Sequence, residues 1–126
     1  MKKFLPIIIL ILFIGTTSAQ TANQVFNSIT ETFIQNDYQK LSDHFAHNLD
    51  IMIGSNDGTY GKQQASILMK DFFEKNKTSS FKINHKGSSN ERTQYAVCEM
   101  KSGNKLWSVY ILLNKQFKII QLQIEN

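Results

Sequence analysis

Proline, cysteine, long apolar runs and a surplus of one charge are all scarce in this 126-residue chain, and each shortage removes a class of protein. Cys98 is the single cysteine, so no intramolecular disulfide can form and stability must come from a packed core. The thiol lies in the apolar stretch Ala96-Val97-Cys98, where it reads as a small buried hydrophobe and not as a nucleophile. The apolar run from Phe4 to Ile14 is interrupted by Pro6, the one proline, and is shorter than the roughly 20 residues that span a bilayer. No internal repeat or low-complexity linker is present. A Ser-His-Asp order, a glycine-rich phosphate loop, paired carboxylates and a basic stacking platform are also missing. No cofactor is implied.

The N-terminus reads as a secretory signal: Lys2 and Lys3 precede the apolar run, and Thr17-Ser18-Ala19 forms a small-residue cleavage site before Gln20. Residues 1–19 are expected to be removed and residues 20–126 to form a single domain. The expected location is therefore exported, periplasmic or secreted. No cysteine follows the cleavage site, so a lipid anchor of the bacterial lipoprotein type has no attachment point, and no stable membrane anchor is expected once the signal is cut. With Lys2 and Lys3 gone, 12 basic side chains face 10 acidic ones, a charge of +2. So small a balance gives no electrostatic footprint for nucleic acid or for an anionic membrane surface.

Periodicity supplies the elements. Thr21 followed by Gln24 forms a capping box, and Ala22, Val25, Phe26, Ile29 and Phe33 make the stripe of a first helix. Asn36-Asp37 ends it, and Asp37 caps a shorter helix whose expected buried face is Tyr38, Leu41 and Phe45. Leu49, Ile51 and Ile53 alternate as a half-buried strand. A turn over Gly54-Ser55-Asn56-Asp57-Gly58 follows, then a very short strand at Thr59-Tyr60. Ala65, Leu68, Met69, Phe72 and Phe73 share one face of a third helix, with Asn76 as its stop. The chain then turns β, with strands around Phe81–His85, Tyr95–Met100, Leu106–Leu113 and Phe117–Ile124.

Two turns predict register. A turn at Gly103-Asn104 pairs Met100 with Trp107, Cys98 with Val109 and Ala96 with Ile111. A turn at Lys115-Gln116 pairs Ile111 with Ile120, Val109 with Leu122 and Trp107 with Ile124. These residues form one face, directed at the helices; Tyr95, Val97, Glu99, Ser108, Tyr110, Leu112, Ile119, Gln121 and Gln123 fall on the other. The fold class is α+β, in the order α-α-β-α-β-β-β-β.

The junction Asn36-Asp37-Tyr38, the Gly58-Thr59-Tyr60-Gly61 turn into Lys62-Gln63-Gln64-Ala65, and four closing strands resemble the nuclear-transport-factor-2-like (cystatin-like cone) superfamily. More closely, Asp71-Phe72-Phe73, Phe81 to Ser89, Val109 to Leu113 and Gln121 to Glu125 resemble a bacterial secreted family catalogued as domain of unknown function 4783. The resemblance covers essentially the whole chain after the signal and implies a curved antiparallel sheet wrapping helices into a cone. It does not choose among isomerases, dehydratases, ligand carriers and non-catalytic modules.

The cone's inward sheet face offers no acid or base. Of the sheet's side chains, His85, sharing a face with Phe81 and Ile83, is the one titratable group expected to reach in from the end of its strand. Two functions follow. One is a non-catalytic exported module that binds a protein partner or a small apolar ligand, with Trp107, His85 and Tyr38 as ligand contacts, and that pairs as a homodimer through Tyr95, Val97, Tyr110, Leu112 and Ile119. The alternative is a small-molecule isomerase or lyase using His85, Tyr38 or Asp37 at the mouth. His44 and His47, three apart on the expected second helix and near Asp43 and Asp50, lack a third ligand of matching spacing, so no metal site is expected. Asp57 is accounted for by turn geometry. Asn76-Lys77-Thr78 fits a glycosylation acceptor but sits where a helix must stop.

Overall fold

The computed structural model describes residues 21–90 and 92–126; the expected signal segment, 1–19, and its cleavage point lie outside the described residues. Helix α1 spans Ala22–Ile34, and its capping box is formed. The Thr21 hydroxyl accepts from the Gln24 amide, and the Gln24 side-chain carbonyl accepts from the Thr21 amide. Asn36 turns the chain with φ 54°. Asp37 then caps α2, Tyr38–Ser42, by accepting from the Lys40 amide at 3.0 Å.

Helix α2 stops three residues before Phe45, which instead opens strand β1, Phe45–Ile53. The Ile119 amide donates to the His44 carbonyl at 2.7 Å and draws the chain into the sheet. Phe45 is buried either way, so apolar spacing from Leu41 alone does not reveal which element carries it. The following turn is tighter than five residues. Gly54, at φ 58°, and Ser55 connect β1 to β2, Asn56–Gly61, with Ile53 opposite Asn56. Helix α3, Lys62–Lys75, buries Ala65, Met69, Phe72 and Phe73. Asn76 ends it, with both its backbone and side-chain nitrogens donating to the Phe72 carbonyl. Strands β3 (Ser80–Asn90), β4 (Thr93–Ser102), β5 (Lys105–Leu113) and β6 (Ile119–Glu125) complete the chain.

The six strands form one sheet in the order β2-β1-β6-β5-β4-β3. Four neighbouring pairs are antiparallel; β1 and β6 run parallel. The β4–β5 register is the one read from the sequence, with Met100 opposite Trp107 and Cys98 opposite Val109. The β5–β6 register differs by two residues, with Ile111 opposite Leu122 and Val109 opposite Ile124. A two-residue shift preserves facing, so Leu122 and Ile124 still point into the core. The connection is also longer than expected: Asn114 pairs with Lys118, its side chain accepts from the Gln116 and Lys118 amides, and Phe117 sits at φ 60°.

An irregularity between Leu112 and Leu113 puts Leu113 opposite Ile119. Ile119 is therefore fully buried in the core, while Ile120 is partly exposed. This corrects the placement of Ile119 on the outer face and of Ile120 on the inner one. The core itself lies between the helices and the inner sheet face. Phe33 stacks on Phe81 and meets Phe73 edge-on. Among the described residues no helix is long and apolar enough to cross a membrane.

Candidate functional site

Between the inner sheet face and α3, aromatic side chains meet. Trp107 meets Phe72 edge-on at 5.2 Å between ring centroids, which closes the gap a ligand would need at that point. The buried residues among those described are apolar except Thr32, whose hydroxyl donates to the Ile29 carbonyl at 2.6 Å. Burial pushes the Cys98 thiol up to about 12, so it stays protonated at any physiological pH. Native protein is accordingly expected to leave a disulfide reagent such as DTNB untouched over minutes. One equivalent should be released only in denaturant, and rapid stoichiometric reaction of the folded protein would contradict this burial.

The structure does not assemble the mouth residues of the enzymatic alternative. Asp37 is committed to its cap on α2. Tyr38 packs against the core, with the Lys70 ammonium 5.9 Å from its ring centroid. His85 is not at the cone mouth. A bulge in β3 sets Ile83 opposite Cys98 and His85 opposite Val97, and the extra residue turns His85 to the outer face. There its Nε2 lies 2.9 Å from the Tyr95 hydroxyl. The three expected ligand contacts, Trp107, His85 and Tyr38, likewise do not converge. Trp107 Nε1 is buried without a hydrogen-bond partner.

The two histidines of the metal alternative are not on one helix face. His47 is exposed within β1, while His44 sits in the turn after α2. Burial first, and then the Lys118 ammonium, hold His44 below its ordinary pKa, against a smaller opposite effect of Asp43. An unfolded chain therefore binds a proton at His44 that the native protein resists, and stability is lost as pH falls through the ordinary histidine value near 6.5. Thermal unfolding is expected to shift down between about pH 7.5 and pH 5, and His44→Gln should shrink that shift. An identical pH dependence in wild type and variant would remove His44 as its source.

What the sheet does assemble is its outer face. Two rows run across it by register. One reads Thr59, Asp50, Gln121, Leu112, Tyr95, Gly87; the other reads Asp57, Met52, Gln123, Tyr110, Val97, His85. The β5-β4-β3 half is aromatic and apolar. Tyr95 and Tyr110 stack with centroids 6.2 Å apart at 24°. Tyr95 also lies over Gly87, where an added Cβ would come within 2.8 Å of the tyrosine hydroxyl. The ring is thus laid flat against the sheet, a placement glycine permits. Tyr95, Val97, Tyr110 and Leu112 are each half-buried. The β2-β1-β6 half is polar and holds a cleft of about 390 Å³. On the other half, between β3 and β4, the Lys82 ammonium pairs with the Glu99 carboxylate at 3.2 Å.

Sequence periodicity identified four of the five expected face residues. It missed the cleft, because Asp50, Asp57 and Thr59 approach Gln121 and Gln123 only through the parallel β1–β6 pairing.

The chain matches the family model described as "Domain of unknown function (DUF4783)" over residues 26–125. It is similar to the solved structure of a DUF4783 family protein from Bacteroides ovatus, at 26% identity and a TM-score of 0.70, covering 77% of this chain and 90% of that one. A DUF4783 family protein from Bacteroides uniformis shares 20% identity with a TM-score of 0.73, covering 79% and 94%. An NTF2-like protein of unknown function from Cytophaga hutchinsonii shares the fold at 10% identity and a TM-score of 0.61, covering 86% and 91%. No curated protein matches the chain.

Proposed function

Because the chain belongs to the DUF4783 family and has the NTF2-like fold, we propose that it is an exported, non-catalytic binding module that pairs as a homodimer through the outer face of its sheet. The observation that carries this reading is the aromatic and apolar half of that face, Tyr95, Val97, Tyr110 and Leu112, set on two adjacent paired strands. A contiguous apolar and aromatic patch on a sheet face marks an interaction surface more often than a free one. Among the described residues the helices pack on the inner face, and no helix lies over Tyr95 and Tyr110. A second copy presents the same patch and is self-complementary about a two-fold axis. Tyr95, laid over Gly87 and stacked on Tyr110, is oriented before association and loses little entropy in it. The polar half and the Lys82–Glu99 pair then fall toward the rim, where such groups stay hydrated.

The apolar core, with Thr32 its one buried polar side chain among the described residues, argues against interior chemistry, since a positioned acid or base would be needed near the substrate. Export rests on the charged, apolar and small-residue order of residues 2–19.

Light scattering at micromolar concentration is expected to give twice the protomer mass for wild type. Tyr110→Arg buries an unpaired charge in the contact and should raise the dissociation constant at least ~100-fold, leaving a monomer. A monomeric wild type, or an undisturbed dimer in Tyr110→Arg, would reject this face.

A further inference from the structure

The polar half of the outer face carries a different kind of site, and we infer that it binds a neutral saccharide. The cleft of about 390 Å³ lies on β1, β2 and β6, within the size range of small-ligand sites. Its side chains come from the two cross-strand rows: Thr59, Asp50 and Gln121 in one, Asp57, Met52 and Gln123 in the other. All six stand on paired strands, so their spacing is set before any ligand arrives.

The donor and acceptor set selects the ligand. Carboxylates only accept, whereas each glutamine amide offers one acceptor and two donors on a plane. A cation would use only the acceptors and leave the amide N–H groups idle, and an anion site needs donors or positive charge. This cleft mixes both and has no lysine, arginine or histidine in its lining. Sugar hydroxyls both donate and accept, and adjacent hydroxyls match a planar amide or carboxylate two at a time. Asp50 is already oriented: one of its oxygens accepts from the Thr59 hydroxyl at 2.7 Å, leaving the other for the ligand. Among the described residues neither Asp50 nor Asp57 has a salt-bridge partner. Met52, between Asp57 and Gln123 in its row, supplies apolar contact for the C–H face of a sugar ring.

The inference goes beyond the homodimer and does not depend on it. Maltotetraose, cellotetraose and chitotetraose, titrated separately into ¹⁵N-labelled full domain, are the probes. At least one is expected to give saturable shifts at Asp50, Thr59, Gln121 and Gln123, with a dissociation constant of about 1 mM or tighter. Gln121→Ala and Gln123→Ala should each weaken that binding about tenfold or more, while Asp50→Asn, which keeps a planar hydrogen-bonding group, should retain more of it than Asp50→Ala. Val97→Arg, two strands from Gln123 on the aromatic half, should bind like wild type whether or not it dimerises, which separates the cleft from the dimer contact. Absence of saturable binding by all three sugars, binding indifferent to the glutamine variants, or tighter binding of 1,4-diaminobutane that Asp50→Asn abolishes would each overturn the assignment.

Discussion

Phe33→Ala is expected to lower the unfolding free energy by about 3–5 kcal/mol, the cost of emptying an aromatic site in a packed core. Phe33 is fully buried and joins three elements. It projects from α1, stacks on Phe81 of β3 with ring centroids 4.5 Å apart, and meets Phe73 of α3 edge-on at 5.4 Å. Removing the ring deletes burial and both aromatic contacts together, and neighbours on two other elements cannot both close on the gap. A domain of this size has a total stability of roughly 5–15 kcal/mol, so the variant sits near the edge of folding. Denaturant titration should show a lower midpoint at an unchanged slope. Ile34→Ala, at the adjacent exposed position, should stay within about 0.5 kcal/mol. A Phe33→Ala loss as small as that of Ile34→Ala would mean that α1 does not dock on β3 as described.

Leu122→Ala is the second large expected effect, about 2–5 kcal/mol. Leu122 occupies the middle of the sheet, paired with Ile51 on the parallel side and Ile111 on the antiparallel side, and has no solvent exposure. Its neighbours are fixed by hydrogen bonds on both edges of β6, so a truncation there leaves a cavity. Gln123→Ala changes the next residue on the opposite face and is expected to cost little by comparison. A loss below about 0.5 kcal/mol at Leu122, or a larger one at Gln123, would invert the facing of β6.

The facing of β6 also shows how far alternation alone reaches. A two-residue turn at Lys115-Gln116 pairs Leu122 with Val109, two residues from its partner Ile111 in the structure, and leaves Leu122 on the same side. Side chains repeat every two residues along a strand, so an error of two is silent and an error of one is not. Single-residue errors occur where a bulge or irregular turn intervenes. His85 continues an unbroken Phe81-Ile83-His85 alternation in the sequence, and the bulge after Ile83 reverses it. Ile119 and Ile120 are alike in hydropathy, so nothing in the pair indicates which one faces in. The loop from Asn114 to Lys118 decides it.

The amino-acid sequence by itself determined that three helices form and how they are capped, the β4–β5 register and an outer face rich in tyrosine, because each follows from spacing between residues close along the chain. Only the tertiary structure decided that the cone is closed by Trp107 on Phe72, that His85 leaves the interior for Tyr95, and that Asp50 comes to lie beside Gln121. Those outcomes rest on contacts between distant segments and on single inserted residues, and neither leaves a periodic mark in the sequence.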